Sequence, residues 1–108
     1  MASTPRNRMS SPPKPGDPES KFGYGHIAHG FELLQIQKGQ VVVYYCGHLA
    51  ADKFDSPHKY AIASIAQLAM QLHEEGKVEL RLRRVKCAKI VRDRPREVAC
   101  TEYIAIGK

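Results

Sequence analysis

What this 108-residue chain lacks sets its limits first. No apolar run approaches the length a helix needs to cross a bilayer, so no membrane span is expected. The opening stretch, MASTPRNRMSSPPKPGDPESK, has no hydrophobic segment of the kind a secretory signal requires, which points to the cytoplasm. Cysteine is scarce and odd in number. Cys46, Cys87 and Cys100 form no dense framework, which fits a reducing compartment, and Cys87 and Cys100 are expected to be small core residues. Paired metal-ligand motifs are also missing. His26, His29, Cys46 and His48 are donor types, but H-x-x-H and C-x-H spacings are weak beside the repeated units of zinc sites, so no metal and no cofactor are expected. Cys46 and His48 share a strand with no third group to orient a base, and His73, Glu74 and Glu75 sit at an exposed helix end. No catalytic role is expected.

Acidic residues are scarcest where basic ones gather. Nine of the twenty residues 77–96 are Lys or Arg, opposed only by Glu79 and Asp93, so this stretch carries +7 against a whole-chain charge of +6. Residues 1–21 add +2, which leaves the remainder mildly acidic. Basicity is therefore local, and a local excess of one sign suits docking onto something acidic.

The chain divides into a tail and one domain. Residues 1–21 hold five prolines, four serines and almost no large apolar side chain, so nothing there offsets the entropy of ordering; a disordered tail is expected, followed by a single domain over 22–108. After a Gly- and His-rich loop, FGYGHIAHG, Phe31–Gln37 and Gln40–Cys46 read as two strands joined at Lys38-Gly39. One face of that ribbon would show Phe31, Leu33, Val42 and Tyr44, an apolar surface for a partner or a homodimer. Gly47–Phe54 is a connection with room for one helical turn. Asp55 or Ser56 as N-cap, Pro57 at the first position and Gly76 at the end delimit an amphipathic helix whose buried stripe is Ile62, Ile65, Leu68, Ala69 and Leu72.

Two strands close the sequence. Val78, Leu80 and Leu82 alternate with charged residues, but Val85 and Cys87 continue in the opposite phase, which a bulge at Arg83-Arg84 would repair. With a four-residue turn at Arg92–Pro95, Cys87 would pair with Cys100, Leu82 with Ile104 and Leu80 with Ile106. The resulting order, ββαββ, predicts an α+β domain: one helix on an antiparallel sheet with a basic C-terminal hairpin.

The words VVYYCGHLAADKF, AQLAMQLHEEGKVELRLRRV and EYIAIGK resemble a pattern in small proteins of tailed bacteriophages and prophages, over Val41 to Lys108. Those proteins often carry Gln before the arginine pair, where this chain has Leu82. The resemblance implies a genomic setting and transfers no functional residue.

Function is expected to follow the charge. Arg81, Arg83, Arg84, Lys86, Lys89, Arg92, Arg94 and Arg96 would meet phosphates and Tyr103 would stack on a base, giving largely sequence-independent binding of nucleic acid. Five phosphate contacts on a duplex would give a slope of log K against log salt of roughly −4.5. A helix followed by a hairpin also matches the second half of a winged helix, with Ser64, Gln67 and Gln71 facing bases, although Glu74 and Glu75 would repel phosphates. The rival expectation is a protein-interaction module whose basic hairpin meets an acidic protein surface. A virion structural component is a third.

Overall fold

The computed structural model describes residues 14–108. It is an α+β structure of three helices and a three-stranded antiparallel sheet: α1 (Gly30–Leu34), β1 (Val41–Gly47), α2 (Leu49–Asp55), α3 (Lys59–Glu74), β2 (Val78–Val91) and β3 (Arg94–Gly107), with β3 in the centre.

The first expected strand is a helix instead. In Phe31–Gln37 the Glu32 carboxylate accepts the N–H of His29 at 2.9 Å, which ties down the start of a helical turn, and only Leu33 is turned fully into the core. This also dissolves the proposed partner face. Leu33, Val42 and Tyr44 are core residues, and of the four only Phe31 is exposed, at 58%. The connection after β1 forms α2, so the observed order is αβααββ and the expected ββαββ does not hold.

Helix α3 begins at Lys59, with His58 as its N-cap, and so starts later than Asp55 or Ser56 suggested. Ser56 Oγ accepts the His58 N–H at 3.0 Å, which places Pro57 in the α2–α3 turn. Its end is as read: Gly76 has φ of +77°, and the Gly76 and Lys77 N–H groups return to His73 and Leu72. Ile62, Ile65, Ala69 and Leu72 are buried with Val42, Tyr44, Tyr45, Val78 and Ala105, and Leu68 is partly buried against them.

Strands β2 and β3 pair without interruption from Val78–Gly107 to Val91–Arg94. No bulge interrupts Arg83-Arg84, and Cys87, Leu82 and Leu80 face Val98, Tyr103 and Ala105, two places from the expected partner for Cys87 and one place for Leu82 and Leu80. The cause is the turn, which uses two residues, Arg92 and Asp93, both left-handed at φ of +52° and +63°. The phase reversal in the sequence is a genuine change of face. Val78 and Leu80 pack on the helix side, whereas Val85 and Cys87 pack on the other side with Cys46, Val98 and Cys100 under Phe22 and Tyr24. The irregularity lies between β1 and β3, at Val43/Tyr45.

Of the tail expected over residues 1–21, residues 1–13 lie outside the described residues, and Pro18 to Ser20 run along β2. Lys86 donates its N–H to Pro18 O and accepts from Ser20 N–H, both at 2.9 Å. Tyr24 N–H then reaches Ala88 O, while Gly25, His26 and Ala28 bond to Cys46 and Tyr44 of β1. Residues 18–28 thus join the two outer strands across the second core, which requires the sheet to curl.

Candidate nucleic-acid interface

Strand β1 ends at Gly47, opposite Thr101, so the part of β3 from Arg94 to Cys100 has only β2 beside it. The last turns of this ribbon, residues 88–97, are mostly exposed and include Ile90. Direct partners on a ladder share a face. Lys89 pairs with Arg96 and Val91 with Arg94, which sets Lys89, Arg94 and Arg96 on one side with Arg81 and Arg83, while Arg84 and Lys86 lie on the other. The cations expected to meet phosphates together are therefore divided between two faces.

The eight cations also differ in what they already hold. Arg81 pairs with Glu79 at 2.7 Å, Arg83 with Glu102 at 3.0 Å and Arg84 with Asp17 at 3.2 Å. Lys89 sits 4.3 Å over the Tyr24 ring. Among the described residues Arg92, Arg94 and Arg96 form no ion pair, and they are the three at the tip. Tyr103 is not a free platform. It faces Leu82 on the helix side, its ring lies 6.3 and 6.0 Å from those of Tyr44 and Tyr45, and its hydroxyl accepts the Leu49 N–H at 3.2 Å.

The exposed aromatic rings lie elsewhere. Phe54 at the end of α2 and Tyr60 in the first turn of α3 are 69% and 79% exposed, with Lys53 and Lys59 at 5.5 and 5.4 Å from their ring centres. A cleft of about 320 Å³ lined by Tyr24, Lys89, Ser56, Pro57 and His58 joins the base of the hairpin to the α2–α3 turn. Hairpin and start of α3 therefore share one end of the molecule. In the sequence these aromatics were legible only as apolar residues beside lysines, with nothing to mark them as uncovered.

Beneath that cleft is a buried carboxylate. Asp52 accepts hydrogen bonds from the Tyr24 hydroxyl at 2.9 and 3.0 Å, from the Tyr45 hydroxyl and from the His48 N–H at 3.0 Å. Burial first, and then the neighbouring carboxylate, raise both tyrosines well above their ordinary value of 10.0. Burial lowers His48 below its ordinary 6.5 and outweighs the attraction of Asp52. Three donors hold the carboxylate, which marks it as a brace between α2, β1 and the residue 18–28 segment.

The four donors weighed for a metal do not gather. His26 stacks on Phe22, His29 on Phe31, and His48 Nε2 is buried without a hydrogen-bond partner among the described residues. Cys46 instead meets Cys100, Sγ to Sγ 3.5 Å, and Ser20 Oγ at 3.8 Å. Burial raises its thiol above the ordinary value, opposite to what a nucleophile requires. Cys87 and Cys100, expected as separate thiols, are joined in a disulfide. No helix of the described residues is long and apolar enough to cross a membrane. No family model matches the chain, and no curated protein or solved structure matches it.

Proposed function

We propose that this is a small nucleic-acid-binding protein of winged-helix type, in a phage or prophage setting, that grips phosphates with the tip of its C-terminal hairpin. The observation that carries the reading is the projecting two-stranded ribbon with Arg92, Arg94 and Arg96 at its end, without acidic partners among the described residues. A ribbon of this width fits a DNA groove, and its long cationic side chains suit phosphates on either side. The element order supports it too: helix, strand, two helices, then two strands, with β3 between β1 and β2, is the arrangement in which a winged helix presents a helix and a wing together. Here the first helix is only five residues long, and α3 opens with Lys59 and Tyr60 directly after His58, which lines the cleft together with Lys89 of the hairpin.

The mechanism follows from charge. Lys89, Arg92, Arg94 and Arg96 displace condensed cations from the phosphates, and Tyr60 supplies a surface for an unpaired base. Four contacts on a duplex give a slope of log K against log salt of about −3.6. Fluorescence anisotropy with duplex DNA, single-stranded DNA and RNA at several salt concentrations tests this. Replacing Arg92, Arg94 and Arg96 together by Ser should lower affinity at low salt by at least about tenfold and flatten the slope by about 2–3. A flat salt response in the unaltered protein would overturn the proposal and direct attention to an acidic protein surface as partner.

A further inference from the structure

Every cysteine in the chain reaches the same point. Cys46 comes from β1, Cys87 from β2 and Cys100 from β3, and their three sulfurs lie within 4.8 Å of one another in the second core. All three are buried, at 0%, 3% and 2% exposure, beneath Phe22 and Tyr24. Packing alone does not ask for sulfur here, since Val85 and Val98 fill the same cluster. In a tetrahedral thiolate site with metal–sulfur bonds of about 2.3 Å, neighbouring sulfurs stand about 3.8 Å apart. Cys46 and Cys100, at 3.5 Å, are already near that spacing.

We propose that, when an external thiol or phosphine reductant supplies the two electrons that, with two protons, convert the Cys87–Cys100 disulfide to two thiols, the three cysteines form a thiolate site for one divalent d¹⁰ cation such as zinc. Each thiol loses its proton on binding, so three thiolates and the cation leave one negative charge. The fourth ligand would be Glu102, the ladder partner of Cys46 and itself 3% exposed, whose carboxylate lies beside the three-sulfur group and would have to swing inward to complete it. Its Oε2 accepts from Ser20 Oγ at 2.6 Å, and its Oε1 is held by Arg83 at 3.0 Å, which neutralises the carboxylate. Soft sulfur ligands from three strands with one hard oxygen are a donor set that selects zinc over magnesium or calcium. The disulfide form withdraws two of the three thiolates, and in that state the site is closed to metal.

The experiment uses the untagged full chain, reduced with a phosphine and kept under inert gas, beside the disulfide form. Zinc is titrated and counted by native mass spectrometry, and cobalt(II) is added as a spectroscopic probe for sulfur-to-metal charge transfer. The expected result is one metal ion per reduced chain, a charge-transfer band, and no metal on the disulfide form. Cys46→Ser leaves the disulfide pair intact and should weaken zinc binding by more than the roughly 100-fold that loss of an outer-sphere partner costs. Circular dichroism follows the fold throughout. A reduced chain that unfolds and regains structure on adding zinc supports the site. A reduced chain that takes up no zinc, whether folded or unfolded, or a Cys46→Ser variant that binds as tightly as the parent, overturns it.

Discussion

At Gly47 the chain turns from β1 into α2 with φ of +153°, and the space where a side chain would begin is already taken. A Cβ there would lie 2.8 Å from Asp52 Oδ2 and 2.9 Å from the Tyr45 hydroxyl. Gly47→Ala should therefore destabilise the protein by about 2–3 kcal/mol, through overpacking and backbone strain together, read as a lower urea midpoint at unchanged slope. The same cluster sets a limit at high pH. Tyr24 and Tyr45 hold their protons more tightly folded than unfolded, so their contribution is fully present below the unfolded value of about 10 and is lost as pH rises toward the folded values. Tyrosinate absorbance should accordingly show two tyrosines that resist titration until the protein unfolds. In Asp52→Ala those two should titrate earlier. None of this was legible in the sequence, where Asp52 was one acid in a connecting segment. Its role arises because Tyr24 and Tyr45, twenty-one residues apart, meet over it.

Among the elements, the hairpin is where sequence and structure part most instructively. The strands themselves were legible from alternation, but their register turned on two residues that local chemistry does not announce. Neither Arg nor Asp leads the preference for the left-handed positions of a two-residue turn, where Asn-Gly is favoured, so a longer loop was the natural reading. The left-handed conformation at Arg92 costs about 1–2 kcal/mol relative to a residue suited to it. Arg92→Asn with Asp93→Gly should raise stability by about that amount in chemical denaturation and at the same time weaken nucleic-acid binding, since a phosphate contact is removed. A variant that gains stability without losing affinity would take Arg92 out of the interface. The arginines nearer the body divide similarly. Arg81 is exposed and Glu79 half-exposed, so Arg81→Ala should cost no more than about 1 kcal/mol. Arg83→Ala leaves the buried Glu102 without its cation and should cost about 1–3 kcal/mol, a contrast that equilibrium denaturation of the two variants measures directly. The stretch ahead of β1 was less legible still. Phe31–Gln37 has strand-like composition, yet the Glu32–His29 bond, the burial of Leu33 and the return of the Gln35 N–H to Phe31 make its first part a helical turn.

Across the whole molecule the sheet serves two cores, one on each side. The helix side was readable from the stripe on α3. The second was disguised as a register error, because a strand that buries first one face and then the other looks, along the sequence, like a strand with a bulge. It is completed by residues 18–28, which composition assigned partly to a disordered tail. That segment bonds to Lys86 and Ala88 on one side and to Tyr44 and Cys46 on the other. Its partners on β2 are made more than sixty residues after it. During synthesis the early segment therefore has only its β1 partners to lie against until β2 has been made, and its bonds to Lys86 and Ala88 must form after that. Until then the outer edge of β2 and the cysteines of the second core lack the cover of Phe22 and Tyr24, so the interval between formation of the hairpin and the seating of residues 18–28 is when this side of the sheet is most open to neighbours, to oxidants and to metal.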